Sequence, residues 1–426
     1  MNKAKIISAI DIGSSKVVTL VAQVNDEGVH AEQLKINIIG VSSVESKGVK
    51  KDQIVDIESA VECVVESIEG AERMAGYNIG NVYVSVGGAH ITSQNSSGVV
   101  AVSNPDSEIT EDDVDRVIEA ARAVSLPTSR EIVHVLPRGY TVDGEAGVRD
   151  PIGMSGVRLE VDTHLVSASS PAIKNLTKTI NEVGAQVEEM VYSGFASGMA
   201  CLTDTEKELG CVLVDIGGGT TSVAAYTDSS LSFSGAIPIG AKNVTNDLAI
   251  GLRVSLESAE KIKLKLSRDE MKRGGDDKQQ KQIEISEEGS SEIKKVQRRT
   301  LTEGIIKPRL NELFTMVKLD LERAGLINRI PSGVVLTGGG AMTVGAGEAA
   351  KRILSLPVRV AAPVGVGGLI DDISDPRYAT VIGLILYGAN TSGSVFTSTS
   401  GGGGKIKAPL KATFTKLVEK ITSFLP

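Results

Sequence analysis

Cysteine is scarce in this chain of 426 residues. The three present, Cys63, Cys201 and Cys211, show neither close pairing nor metal-ligand spacing. That excludes a disulfide framework and points to a reducing compartment, with Cys201 and Cys211 as small core residues. Long hydrophobic runs are also missing: no stretch approaches the roughly 18 apolar residues of a membrane-spanning helix. The segment MNKAKIISAIDIGSSK has a short apolar run, but Asp11 interrupts it, which argues against a secretory signal. A cytoplasmic protein is expected. Positive charge is in deficit, with 45 Lys and Arg against 53 Asp and Glu and a net charge of −8. Broad nucleic-acid binding needs a strongly basic face and is excluded; a local basic patch is not. There is no tryptophan. The four histidines, His30, His90, His134 and His164, are scattered without metal spacing and read as surface strand positions.

What is present reads as soluble and globular: 41% hydrophobic and 23% charged residues, in a length that suggests two to four domains. The first 24 residues read as strand, tight turn, strand. Residues 58–75 read as a helix, with Ile57, Val61, Val64, Val65 and Ile68 on one face. From 84 to 166 the texture changes to short strands around one helix at 111–125, opened by a capping-box-like Thr110 and Asp113, which marks a separate α+β insert. Pro171 opens a helix over 171–184. QVEEMVY is then a strand, SGFASGMACL a small-residue helix and GCVLVDIGGGTTSVAAYT a strand–turn–strand. Further helices are predicted over 243–267, 300–325, 345–354 and 376–389. Residues 268–282 read as a charged loop and 390–404 as a Gly/Ser/Thr linker.

Three glycine turns share one design. DIGSSK starts at Asp11, DIGGGTT at Asp215 and LTGGGAM at Leu336. Gly13, Gly217, Gly218, Gly219, Gly338, Gly339 and Gly340 put no Cβ between backbone N–H groups and phosphate oxygens. Ser14, Ser15, Thr220 and Thr221 offer hydroxyl donors, and Lys16 a cation. Asp11 and Asp215, at strand ends, suit a hydrated Mg²⁺, which binds few carboxylates and keeps its waters. One acidic glycine turn is a weak signal; two in succession, followed by a glycine triplet, are specific. The pattern is neither a P-loop nor a dinucleotide fingerprint, since GxxxxGK[ST] is absent and no βαβ unit carries GxGxxG.

The two turns together with VVLTGGGAM resemble the actin, heat-shock chaperone and sugar kinase superfamily. The resemblance implies two α/β lobes of ribonuclease-H-like fold holding ATP and Mg²⁺ between them, with Met342 in the triplet turn at the nucleotide. In AEKIKLKLS, Glu260 and Lys263 share a helix face with Ser267 one turn on. This looks like the chaperone helix that clamps adenosine, although an ordinary ion pair has the same spacing.

A closer likeness, from Ile6 to Ala389, is to the FtsA family of bacterial cell-division actin homologues. It is carried by SGFASGMACLTDTEKELGCVLVDIGGGTTSVAAY, by the insert and by RRTLTEGIIKPRLNELF. The likeness implies a first lobe at 1–83 and 167–200, interrupted by the insert (IC) at 84–166. It implies a second lobe at 201–244 and 305–389 with a return helix, a small subdomain at 245–304, a linker at 390–408 and a membrane-targeting helix at 409–426. It further implies a head-to-tail homopolymer, insert against second lobe, that links FtsZ filaments of the Z ring to the inner face of the plasma membrane, with other division proteins as possible partners. The FtsZ C-terminal peptide would meet Arg298 and Glu303, with Lys294, Lys295 and Arg299 as added cations. Without the likeness, these residues read as a solvated helix start.

The tail carries its own signal. Pro409 can open a helix, and Leu410, Phe414, Leu417, Val418, Ile421, Phe424 and Leu425 form one stripe. Lys411, Lys416 and Lys420 lie off it, and from Lys405 onward there are five lysines against one glutamate. Such a helix suits an anionic bilayer surface; packing on its own body or on a partner is the plainer alternative. The preceding linker has a reach of roughly 20 Å.

Turnover is less well supported than binding. YSGFASGMACL, which precedes the second turn, holds no carboxylate to orient water, and Ser193 and Ser197 are poor bases. Slow ATP hydrolysis or none is expected. Two other classes stay open on the sequence: a small-molecule kinase of the same superfamily, and a PilM-like pilus-assembly binding module.

Overall fold

The computed structural model describes residues 5–25, 35–103, 108–273, 282–286, 293–369 and 373–391. Aliphatic and β-branched runs build two sheets on one plan. In the first, Lys5–Ile12, Lys16–Asn25 and Lys35–Glu45 form an antiparallel meander. Asn81–Val86 then pairs with Lys5–Ile12 in parallel, and Gln186–Tyr192 pairs with Asn81–Val86. In the second, Cys211–Ile216, Thr221–Thr227 and Ser230–Ile237 repeat the meander, and Val334–Thr337 and Val358–Val360 add the parallel pair. Parallel neighbours require crossovers. Helices Ile57–Ala75 and Ser170–Glu182 supply them in the first lobe, and Lys307–Arg323 and Ala346–Leu354 in the second. One apolar core is centred on the first lobe and continues into Cys211, Leu213, Ala224, Tyr226, Leu231 and Val335 of the second sheet; another fills the rest of the second lobe. This is the two-lobed actin-like α/β architecture that the resemblance implies.

The insert is a four-stranded sheet ordered Thr92–Ala101, Arg158–Ser169, Arg130–Val142, Glu145–Val148. Helix Glu111–Arg122 covers it, burying Val114, Val117, Ile118 and Ala121 against Tyr140, Leu159 and Val161. Thr110 and Asp113 close the capping box at its start.

The chain returns to the first lobe at its end. Gly367–Gly368 pairs with Lys35–Glu45. Helix Ala379–Thr391 is mostly buried and crosses helix Ser193–Cys201, where a Cβ on Gly383 would stand 1.8 Å from the Ala196 carbonyl oxygen.

Several expectations need correction. The helix expected over 243–267 is two, Ala241–Leu252 and Leu256–Arg273, because Arg253 adopts left-handed backbone with φ 55°. The second runs to Arg273, into the stretch expected as a charged loop; residues 274–281 lie outside those described. The helix expected over 300–325 starts at Arg298 and passes through a π-turn, Thr302–Ile306, before Lys307–Arg323. Pro308 has no N–H for the Gly304 carbonyl, and a wider turn makes room for its ring. His134 and His164 are not surface residues, at 4% and 1% exposed. His134 accepts the Tyr192 N–H at 2.9 Å. His164 hydrogen-bonds Asn95 and Ser234, at 2.7 and 2.9 Å. Cys201 and Cys211 are buried, as expected.

Among the described residues, no helix is long and apolar enough to cross a membrane. The linker expected from residue 390 is still helical at Asn390 and Thr391; the rest of it, with every residue of the expected amphipathic helix, lies in residues 392–426, outside the described residues, as does His30.

Candidate functional site

The two acidic hairpins are built alike. Gly13 N–H donates to the Lys16 carbonyl at 3.1 Å, and Gly217 N–H to the Thr220 carbonyl at 2.9 Å. Asp11 pairs with Val18 across its hairpin as Asp215 pairs with Ser222 across the other. Both carboxylates thus stand at the same place, one residue before the strand end, in opposite lobes.

The fold brings the two hairpins into contact. A Cβ on Gly218 would lie 2.3 Å from Ser15 Oγ, and one on Gly219 would lie 2.4 Å from Ser14 Oγ. Lys242 Nζ, from the second lobe, donates to the Ser14 carbonyl at 2.7 Å. The triplet turn closes the third side. Gly338 has φ 80°, and a Cβ there would stand 2.2 Å from Asp215 Oδ1, so only glycine fits.

Hydroxyls orient the carboxylates. Ser85 Oγ donates to Asp11 at 2.5 Å. Ser197 Oγ and Thr380 Oγ1 donate to Asp215 at 2.5 and 3.0 Å. Burial pushes the Asp11 carboxyl up to about 6, and the like charges of Asp52 and Asp215 add to this. Burial raises Asp215 as well. Lys16 is half-buried, its Nζ 3.9 Å above the Tyr378 ring, and burial lowers it to about 8.

The half-buried Asp11 and the buried Asp215 beside a half-buried lysine, with glycine turns where a Cβ would collide, form a set that fits a phosphate chain with a hydrated cation. No group of three or more His, Cys, Asp or Glu among the described residues is disposed to hold a metal directly. A cation here would keep most of its waters.

Not every expected donor faces the site. Thr221 Oγ1 donates to the Ile239 carbonyl inside the second lobe. Glu260 and Lys263 form an ion pair at 2.7 Å, and Thr245 joins both. Lys263 is buried, and it ties the helix back to the Ala241 carbonyl at 3.4 Å. Ser267 Oγ accepts the Val344 N–H at 3.1 Å, which docks this helix beside the half-buried Met342 and its turn, Gly339–Met342. At the expected peptide site, Arg298 turns inward to Asp269 at 3.4 Å and the Leu266 carbonyl at 3.1 Å. Glu303 pairs with Lys307, and Arg299 is exposed. Lys294 and Lys295 lie on strand Ile293–Gln297.

Sequence reasoning missed Asp52, which sits between the hairpins. Its Oδ1 accepts from the Ser14 N–H at 3.1 Å and from Ser14 Oγ at 2.7 Å; its Oδ2 accepts from Thr220 Oγ1. The only local signal was an Asp in a short loop, which has the look of any solvated carboxylate.

A family model described as an SHS2 domain inserted in FTSA matches residues 88–167, and one described as cell division protein FtsA matches residues 212–383. The cell division protein FtsA of Pseudomonas aeruginosa is 39% identical, over 91% of this chain and 90% of that protein. That of Escherichia coli K12 is 33% identical, over 99% and 97%. Among solved structures, the PilM–PilN type IV pilus biogenesis complex aligns with a TM-score of 0.62 at 16% identity, covering 90% of this chain and 98% of that one. MreB5 of Spiroplasma citri bound to ADP aligns with a TM-score of 0.52 at 14% identity, covering 90% and 96%. The structural likenesses show a shared actin-like fold, while the sequence relatives, aligned along nearly the whole chain, show that it belongs to the FtsA family of cell division proteins.

Proposed function

We propose that this chain binds ATP with Mg²⁺ between its lobes, forms homopolymers and tethers FtsZ filaments to the cytoplasmic face of the plasma membrane at the division site. The observation that carries the nucleotide reading is the contact of two equivalent hairpins, led by Asp11 and Asp215, from opposite lobes. The backbone N–H groups of both turns and Lys16 would hold the phosphates, and the helix bearing Glu260, Lys263 and Ser267 would flank the base. Bound Mg²⁺ would neutralise phosphate charge, with Asp11 and Asp215 taking hydrogen bonds from its waters. The hydroxyls of Ser85, Ser197 and Thr380 keep those carboxylates aimed.

The tether reading rests on family membership and on the stripe in 409–426. One foot binds modestly, since each lysine near an anionic surface contributes about 1 kcal/mol. Several feet on one polymer bind far more tightly through effective concentration. The FtsZ peptide would meet the exposed cations of the small subdomain, with Arg299 ahead of the inward-turned Arg298. Turnover is slow or absent; a steady-state rate above about 1 per second would overturn that part.

The test is co-sedimentation of FtsZ filaments with anionic vesicles in the presence of MgATP and either the full chain or a chain lacking residues 405–426. Filaments should pellet with vesicles only alongside the full chain. Equal pelleting with the truncated chain removes the tether.

A further inference from the structure

Asp52 lies at the tip of a two-residue hairpin in the first lobe. Strands Val49–Lys50 and Gln53–Ile54 pair with Lys50 opposite Gln53, so Lys51 and Asp52 form the turn. Both have positive φ, 50° and 56°. This is the doubly left-handed turn for which Asn, Asp and Gly are suited and Lys is not. Strain of that kind persists only where the surroundings hold it, and it gathers at functional sites. Here the surroundings are the site itself. The Asp52 N–H donates to Ser14 Oγ at 2.8 Å, and a Cβ on Gly219 would stand 3.1 Å from Lys51 Cα.

The carboxylate at this tip accepts one backbone N–H and one hydroxyl from the first-lobe hairpin, both of Ser14, and the Thr220 hydroxyl from the second. These donors, on these two turns, are those that the sequence assigns to a phosphate. A carboxylate is the nearest side-chain analogue of a phosphate oxygen pair, and backbone N–H and hydroxyl donors bind both kinds of anion. One donor cannot serve both fully, and two anions at one locus repel.

We propose that Asp52 is a further residue of the nucleotide site, an internal competitor whose carboxylate holds the phosphate donors of both lobes until MgATP displaces it. The proposal rests on the nucleotide reading above. Asp52 thereby sets the affinity for the phosphate chain, and nucleotide entry releases the direct bridge between Ser14 and Thr220.

The test uses the full chain and two variants, Asp52→Asn and Asp52→Gly, both compatible with left-handed backbone. MgATP and MgADP affinities are measured by calorimetry at 0.1 and 0.5 M salt. Loss of a charged competitor should tighten MgATP binding about tenfold, more for Gly than for Asn. The gain should survive 0.5 M salt, where screening shrinks long-range repulsion to roughly 4 Å. Hydrogen exchange at the hairpin tip of the unsubstituted chain should quicken when MgATP is added. Unchanged or weaker MgATP binding in both variants, with the unsubstituted chain still binding, overturns the role of Asp52 and leaves the nucleotide reading intact. A gain confined to low salt, or slower exchange at the tip, also overturns it. Absence of binding by all three chains removes both readings.

Discussion

Lys242 Nζ donates to the carbonyl oxygen of Ser14 at 2.7 Å, so a cation at the head of a second-lobe helix closes the acidic glycine turn of the first lobe. Replacing it in Lys242→Met leaves that carbonyl short of a charged partner. Stability should fall by about 1–2 kcal/mol, and the melting temperature by about 1–2 °C in a chain of this size. Calorimetric melting decides it, and an unshifted transition would mean that the bond contributes nothing to lobe cohesion.

Lys16→Met should weaken MgATP binding about tenfold or more, because it removes the half-buried cation beside both aspartates. The fold should survive, since the methionine stem can keep the place against Tyr378. Circular dichroism together with a fluorescent-nucleotide titration separates the two effects. Retained affinity would take Lys16 out of the site.

His134 makes stability depend on acid. Its ring accepts the Tyr192 N–H, and burial holds its pKa at about 4, below the ordinary 6.5. A depressed histidine pKa means that the unfolded chain binds the proton first as pH falls. The contribution is complete above 6.5 and is lost progressively down to about 4. The loss should be on the order of 2–4 kcal/mol. Urea denaturation at pH 7 and pH 5 measures it; His134→Gln, which still offers an acceptor, should show a shallower pH slope. An equal slope in the variant would assign the acid sensitivity elsewhere.

Gly383→Ala should destabilise the chain by about 3 kcal/mol. The new methyl would meet the Ala196 carbonyl oxygen at 1.8 Å, a backbone atom of a buried helix that can move only if two helices part. Thermal melting within a degree or two of the unsubstituted chain would show that the helices separate easily.

Leu417→Glu, in the middle of the tail stripe, should abolish binding to anionic vesicles without affecting nucleotide affinity. A mutant that still pellets with vesicles would exclude a membrane role for the stripe.

The glycine turns and the strands leading into them could be read directly from residues, because hairpin chemistry is local. Asp11 and Asp215 were identifiable for that reason. What they were identifiable as depended on long-range pairing: Ser85, Ser197 and Thr380 aim the two carboxylates from strands and helices far along the chain. The break at Arg253 and the π-turn before Pro308 were missed because an apolar stripe continues across both. Burial of His134 and His164 was missed because one side chain says nothing about which sheet will cover it.

The two-lobed class was legible in the sequence through the resemblance that the glycine turns carry, and the turns themselves through short contiguous runs whose conformations are set by Gly, Asp and β-branched neighbours. Only the tertiary structure decided that Asp52 lies between those turns. A lone carboxylate in a loop carries no periodicity or spacing, and its meaning comes entirely from the donors that two separate sheets bring to it.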